Sequence, residues 1–125
     1  MTEDELSYEI IGIALELHKT LGPGLLESAY EAALSHDLRA AGYKVETQLP
    51  VPFIYKELKL EVGFRIDILV ENKLIIEVKS VEKLTPIHFS QTLTYLQLSG
   101  IKLGLLMNFN TQYLKDGIKR VAHNL

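Results

Sequence analysis

Two carboxylates and a lysine lie close together in the middle of the chain. Glu77 and Lys79 are two residues apart, so on a strand they share a face. Asp67 comes opposite Glu77 if residues 63–80 form a hairpin with a three-residue loop at 71–73. Carboxylate oxygens are the ligands that a hard divalent cation such as Mg²⁺ prefers. The three side chains therefore indicate a candidate cation site beside a positively charged side chain.

Such a site would suit the hydrolysis of a phosphodiester. Mg²⁺ held by Asp67, Glu77 and a backbone carbonyl such as that of Val78 would keep several waters and make one of them more acidic. Lys79 would then orient or deprotonate that water, or stabilise the charge on phosphorus. The same residues also fit a solvated hairpin face whose charges pair across the strands. On spacing alone, this second interpretation is favoured.

The two faces of the predicted hairpin differ in polarity. Arg65 is expected on the face that carries Asp67, Glu77 and Lys79. The opposite face is expected to be wholly apolar and to pack against a core; its members are Phe64, Ile66, Ile68, Val70, Leu74, Ile76 and Val78.

Two pairs of polar residues lie on predicted helices before and after the hairpin. Glu27 and Tyr30 are three residues apart, and Glu27 could add a carboxylate to the cation site. Gln91 and Tyr95 are four apart and could reach a phosphate or the lysine. Each pair also fits an ordinary helix, with Tyr30 in the core and Gln91 on a half-buried face. Taken singly, each pair favours that simpler interpretation.

The elements that must position these residues follow from periodicity and from breaking residues. Helices are predicted at 4–20, about 24–41 and 86–99. Gly22-Pro23-Gly24 separates the first two, Thr85-Pro86 starts the third, and Phe89, Leu93 and Leu96 form its apolar stripe. Strands are predicted at 43–48, 53–55, 58–62, 63–70, 73–80 and 102–108, with a strand or helical turn at about 117–122. The third helix would join two parallel strands, so the order predicts an α/β (α+β) fold, a mixed sheet with helices packed on it.

Composition limits the function classes. The 125 residues, 47% of them hydrophobic, fit a single domain, 1–125, with its own core. The chain has no cysteine, no apolar run near the roughly 18 residues of a membrane span, and an acidic N-terminus unlike a signal peptide, so we expect a cytoplasmic protein with no membrane partner. The net charge is −3, yet residues 41–125 carry eight acidic and eleven basic residues, which leaves room for local phosphate binding. No P-loop or Gly-x-Ser-x-Gly motif is present, and the adjacent lysine and few aromatic residues argue against a glycosidase.

Taken together, the three groups resemble the PD-(D/E)xK nuclease superfamily. Asp67 followed by Glu77-Val78-Lys79 resembles its signature, with Ile66 where the name has proline. QTLTY at 91–95 matches the QxxxY element of its RecB-like members. GLLESAY at 24–30 matches the motif that names the GxxExxY family of small prokaryotic proteins. The resemblance covers about residues 5–122.

The resemblance implies a restriction-endonuclease-like αβββαβ core and a role for each site residue. Asp67 and Glu77 would be the metal-binding carboxylates, with Glu27 completing the metal site. Lys79 would be the catalytic lysine, and Gln91 and Tyr95 would support the site. We expect the carboxylates of Glu27, Asp67 and Glu77 to lie around one Mg²⁺, with Mn²⁺ as the alternative ion.

Two hypotheses follow from the sequence. The first is a Mg²⁺-dependent nuclease that hydrolyses nucleic acid, DNA more readily than RNA, through a metal-activated water. The second is a non-catalytic module on the same fold that binds nucleic acid or protein. A homodimer fits either hypothesis, because a domain of this size offers little surface for gripping a duplex.

Overall fold

A five-stranded mixed sheet forms the centre of the computed structural model, which describes residues 1–60 and 63–125. In chain order the elements are α1 (Glu3–Leu21), α2 (Glu27–Ala40), β1 (Val45–Pro50), β2 (Phe53–Tyr55), β3 (Leu58–Leu60), β4 (Arg65–Val70), β5 (Leu74–Lys79), α3 (Pro86–Ser99), β6 (Leu103–Asn108), a 3₁₀ turn (Leu114–Gly117) and β7 (Ile118–Ala122). The strand order of the main sheet is β1-β4-β5-β6-β7, while β2 and β3 form a separate hairpin.

The predicted crossover is confirmed. Strands β5 and β6 are parallel and are joined by α3, whereas β1–β4, β4–β5 and β6–β7 pair antiparallel. The expected αβββαβ core is therefore the run α2, β1, β4, β5, α3 and β6. In the described part of the chain, no helix is both long and apolar enough to cross a bilayer.

Strong end signals placed α3 correctly, and weaker ones placed α2 and β1 less well. Helix α2 begins at Glu27, three residues after the predicted start, because Gly24 has a φ of +101° and the Leu25 amide is bound by the Tyr30 hydroxyl. Strand β1 begins later than predicted and extends to Pro50, a residue that an edge strand tolerates. The end of the predicted strand 58–62 lies outside the described residues.

The main sheet is buried on both faces. One face packs with α1 and α2; its larger core members are Leu6, Ile10, Leu34, Leu38, Ile68, Val70, Leu74 and Ile76. The other face packs with α3; its buried members are Val51, Ile66, Leu69, Ile75, Tyr95, Leu96 and Val121. Such two-sided cover is typical of the central strands of an α/β sheet.

The predicted division of the hairpin into a charged face and an apolar face is wrong in two respects. Leu69 and Ile75, on the side assigned to the charged residues, are also buried. Phe64 and Ile66 pack in the core beneath α3 and not with Ile68. The apolar stripe of α3 also needs correction, because Phe89 is 43% exposed. The buried residues of that helix are Thr92, Tyr95 and Leu96.

Candidate active site

The β4–β5 hairpin brings the two predicted carboxylates together. The strands pair Ile68 with Ile76 and Val70 with Leu74, which confirms the three-residue loop. Asp67 and Glu77 come next along this register, and the Asp67 amide lies 3.3 Å from Glu77 Oε1. The loop length, visible in the sequence, brings the two acids near each other. Side-chain alternation does not continue regularly through Asp67, because Ile66 and Ile68, on either side of it, pack in different cores.

Glu77 is a buried carboxyl group. Only 3% of the Glu77 surface is exposed to solvent. Burial, and after it the neighbouring Asp67, raise the pKa of Glu77 to about 9, against the opposing effect of Lys79. Because a buried carboxylate beside a second acid is costly to ionise, Glu77 and Asp67 together are suited to a positively charged ligand.

The two acids are also tied to the backbone of β5. Asp67 Oδ2 accepts a hydrogen bond of 2.8 Å from the Val78 amide. Val78 itself lines an open cleft of about 570 Å³ together with Asp67. Lys79 follows as a half-buried residue, and its amine forms no hydrogen bond or ion pair with any described residue. The lysine is therefore available for a ligand in the structure as described.

The start of α2 forms one wall of the cleft. Glu27 is exposed there, and its Oε2 accepts a hydrogen bond of 3.0 Å from the Ser80 amide. The Ser80 hydroxyl in turn donates to the Leu25 carbonyl at 2.7 Å. These two bonds fix the loop before α2 to the end of β5, so Glu27 faces the hairpin as the sequence suggested.

Tyr30 belongs to the core and not to the cleft. It is fully buried, and its ring stacks on Phe109 with centroids 4.6 Å apart. Its hydroxyl donates to the Gly22 carbonyl and accepts from the Leu25 amide. The simpler interpretation of Tyr30 is thus confirmed, and its role is to hold the loop that precedes Glu27.

Helix α3 brings only one of its two predicted residues to the site. Tyr95 is buried, packs edge-on against Phe64 at 6.1 Å, and has its pKa raised by burial and by the nearby Glu77. Gln91 is exposed, and its side chain has no hydrogen-bond partner among residues 1–60 and 63–125. The spacing that places both residues on one stripe does not make them equally close to the acids.

Two residues of the cleft were missed by the sequence analysis. Glu31 lines it one turn after Glu27, and burial together with Asp67 raises its pKa. Gln48 also lines it and donates to Glu31 Oε1 at 2.8 Å and to Asp67 Oδ1 at 3.4 Å. The four-residue interval from Glu27 was a usable signal for Glu31. Nothing in the sequence pointed to Gln48.

The predicted gathering of three carboxylates around one point is not seen. Among the described residues, no three acidic or histidine side chains are placed to hold one metal ion together. Glu27 is bonded to the Ser80 amide, whereas Glu77 is turned toward the Asp67 amide. The structure therefore joins Asp67 with Glu77 and leaves Glu27 on the neighbouring wall.

The donor set nevertheless fits a hard divalent cation. It consists of carboxylate oxygens and backbone carbonyls, with no cysteine anywhere in the chain. Burial and the neighbouring Asp67 disfavour the charged form of Glu77, and a bound cation would favour it. Asp67, Glu77 and the Val78 carbonyl are the groups that fit.

Comparison with known proteins decides the family. A family model described as the PD-(D/E)XK nuclease superfamily matches residues 4–121. The chain belongs to the PD-(D/E)XK nuclease superfamily. The αβββαβ core around a mixed sheet is the restriction-endonuclease-like fold that membership implies.

A solved structure agrees with this fold. The crystal structure of SSO0001 superposes with a TM-score of 0.57 at 21% sequence identity. The match covers 98% of this chain and 63% of SSO0001, so this superfamily member spans less than two thirds of that protein. No curated protein is similar to the chain at a significant level.

Proposed function

We propose that this protein is a divalent-metal-dependent nuclease that hydrolyses phosphodiester bonds in nucleic acid, DNA more readily than RNA. The observation that carries the proposal is the closeness of buried Glu77 to Asp67, which lines an open cleft. Superfamily membership supports the reaction class. The GLLESAY segment at 24–30 supports placement in the GxxExxY family.

Asp67, Glu77 and the Val78 carbonyl would hold the cation, Mg²⁺ or Mn²⁺. When bound, the cation would supply Lewis-acid chemistry by lowering the pKa of water and offsetting charge on the phosphate. Glu27 would have to give up its hydrogen bond with the Ser80 amide before its carboxylate could bind the cation. That exchange is open to it because Glu27 is an exposed side chain.

Lys79 would act on the phosphate from the same strand as Glu77. Its amine makes no hydrogen bond or ion pair within the described residues, so it can donate hydrogen bonds to a phosphate oxygen or to the attacking water. Tyr95, on α3, would support Glu77, on β5; both residues are buried. Gln91, exposed on that helix, would reach the nucleic acid from the rim of the site.

Cleavage assays test this proposal. Single-stranded, double-stranded and branched DNA and RNA are incubated with Mg²⁺ or Mn²⁺ and with wild type or Lys79→Ala. Lys102→Ala is the matched control, because Lys102 is exposed and precedes β6, whose pairing with β5 places it at the opposite end of the sheet from Lys79. We expect cleavage by wild type and by Lys102→Ala and little by Lys79→Ala. If Lys79→Ala cleaves like wild type across the panel, the proposal is wrong.

A non-catalytic binding module is the second candidate. The observation that favours it is that Glu27, Asp67 and Glu77 are not gathered around one point within residues 1–60 and 63–125. This candidate predicts nucleic-acid or protein binding that survives Glu77→Ala and needs no divalent metal. A bound partner that depends equally on Asp67 and Glu77 would count against it.

A further inference from the structure

Gln48 lies at an irregular point of edge strand β1. Its φ is +50°, a value that side chains other than glycine seldom adopt. On either side, Thr47 pairs with Ile68 and Leu49 pairs with Ile66, but the intervening pair of Gln48 with Asp67 is absent from the ladder. Strained backbone of this kind persists where the surroundings hold it, and it is common at functional sites.

The irregular backbone aims the Gln48 side chain at two carboxylates. Its Nε2 donates to Glu31 Oε1 at 2.8 Å and to Asp67 Oδ1 at 3.4 Å. The other oxygen of Asp67, Oδ2, accepts from the Val78 amide at 2.8 Å. The Asp67 carboxylate is therefore held from both sides, by the backbone of β5 and by a side chain of β1.

An amide is chemically well suited to this place. Its two N–H groups can bond two carboxylates at once while leaving their negative charges intact. A lysine or arginine there would neutralise the same charges and compete with a cation. Groups that orient a metal-binding carboxylate are a common second layer around metal sites.

We propose that Gln48 is a positioning residue: its amide bridges Glu31 and Asp67 and so presets the Asp67 carboxylate for a divalent cation. The proposal deepens the function proposed above and rests on it. It also assigns a task to Glu31, which anchors the amide from α2 while Glu27 is engaged with Ser80.

Two variants separate the amide from the backbone. Gln48→Gly removes the amide and adopts the positive φ without strain. Gln48→Leu removes the amide and keeps the strain. Gln97→Ala is the control, because Gln97 is exposed on α3 and is not among the residues that line the cleft. Melting temperatures confirm that each variant is folded.

Two readouts apply to the purified full chain. In metal-free protein, the NMR shift of the Val78 amide proton reports its bond to Asp67. We expect that proton to move upfield in both Gln48 variants and to stay in place in Gln97→Ala. In calorimetric titrations with Mn²⁺ alone, we expect both Gln48 variants to bind Mn²⁺ with a dissociation constant roughly tenfold higher than that of wild type.

The outcomes distinguish this inference from the function on which it rests. If wild type binds Mn²⁺ and Gln48→Gly binds it equally with an unmoved Val78 proton, the positioning role is wrong and the nuclease proposal stands. If only Gln48→Leu is affected, the backbone matters and the amide bridge is again wrong. If wild type binds no Mn²⁺, both proposals fail.

Discussion

Two acidic regions of this molecule, the first turn of α1 and the β4–β5 hairpin, use the same residue types with opposite results. Glu5 accepts a hydrogen bond of 3.0 Å from the Thr2 amide and completes a capping box, and that bond lowers its pKa. Asp4 accepts a bond of 2.7 Å from Arg120. Glu77, by contrast, is buried beside Asp67, and its pKa is raised to about 9.

The difference teaches that acid density does not locate a site. The first turn of α1 contains three consecutive acids, Glu3–Glu5. Glu5 caps the start of the helix, and Asp4 pairs with the Arg120 guanidinium. The hairpin also contains three acids, Asp67, Glu71 and Glu77, but the ionisation of Glu77 is opposed by its burial and by the neighbouring Asp67. A perturbed pKa beside a cleft is the better indicator of function.

The largest expected effect comes from comparing Glu77→Gln with Glu5→Gln in cleavage assays. Glu77→Gln keeps the shape of the side chain but removes one of the two carboxylates, Asp67 and Glu77, that are proposed to bind the cation. Because a bound cation stabilises phosphoryl charge by several kcal/mol, we expect a loss of at least about 100-fold in rate. Glu5→Gln should cleave like wild type. Equal rates for Glu77→Gln and wild type would contradict the assignment of the hairpin.

The pH dependence of stability should have opposite signs in the two regions. The folded-state pKa of Glu77 is raised from 4.5 to about 9, so folded protein holds a proton that the unfolded chain loses, and stability falls as pH rises through that window. The pKa of Glu5 is lowered, so its contribution is present above pH 4.5 and is lost as the pH falls below that value.

Denaturant unfolding with a metal chelator checks this prediction. Between pH 4.5 and about 9, Glu77→Gln should gain stability relative to wild type as the pH rises, by at least about 1 kcal/mol, since one pKa unit corresponds to about 1.4 kcal/mol. Glu5→Gln should differ from wild type by a constant amount over the same range. If the stability of Glu77→Gln and of wild type changes with pH in parallel, the pKa of Glu77 is not raised in the folded protein.

The smallest expected effect applies the same comparison within α3. Tyr95 is buried near Glu77, whereas Gln91 is exposed and has no partner in the described part of the chain. We expect Tyr95→Phe to reduce cleavage about tenfold, as for other groups that support metal ligands. Gln91→Ala should change it by about twofold or less, as an exposed substitution commonly does. A larger loss in Gln91→Ala would reverse the order.

Much of the fold was predictable because its signals are local. Thr85-Pro86 and Gly100 placed both ends of α3, since a capping residue, a proline and a φ of +77° each act within one turn. The packing of Ile66 beneath α3 was not predictable in this way. It depends on a break in side-chain alternation at Asp67, since Ile66 and Ile68 are two residues apart yet pack in different cores, and a strand pattern read from the sequence assumes regular alternation.

The candidate site likewise has one feature that local sequence signals predict and others that depend on tertiary packing. The closeness of Asp67 to Glu77 followed from the three-residue loop, whereas the break in alternation at Asp67 did not. The burial of Glu77 depends on α3, and the bridge made by Gln48 depends on the local irregularity of an edge strand. Neither leaves a pattern of residue types in the sequence.

Mn²⁺ titration followed by NMR tests the central claim most directly. Paramagnetic Mn²⁺ broadens the signals of nearby amides, so it reports which acidic region binds the ion. We expect the Val78 and Ser80 amides to broaden first, in wild type and in Glu5→Gln but not in Glu77→Gln. Broadening centred on Glu3–Glu5, or unchanged by Glu77→Gln, would contradict a metal site in the β4–β5 hairpin.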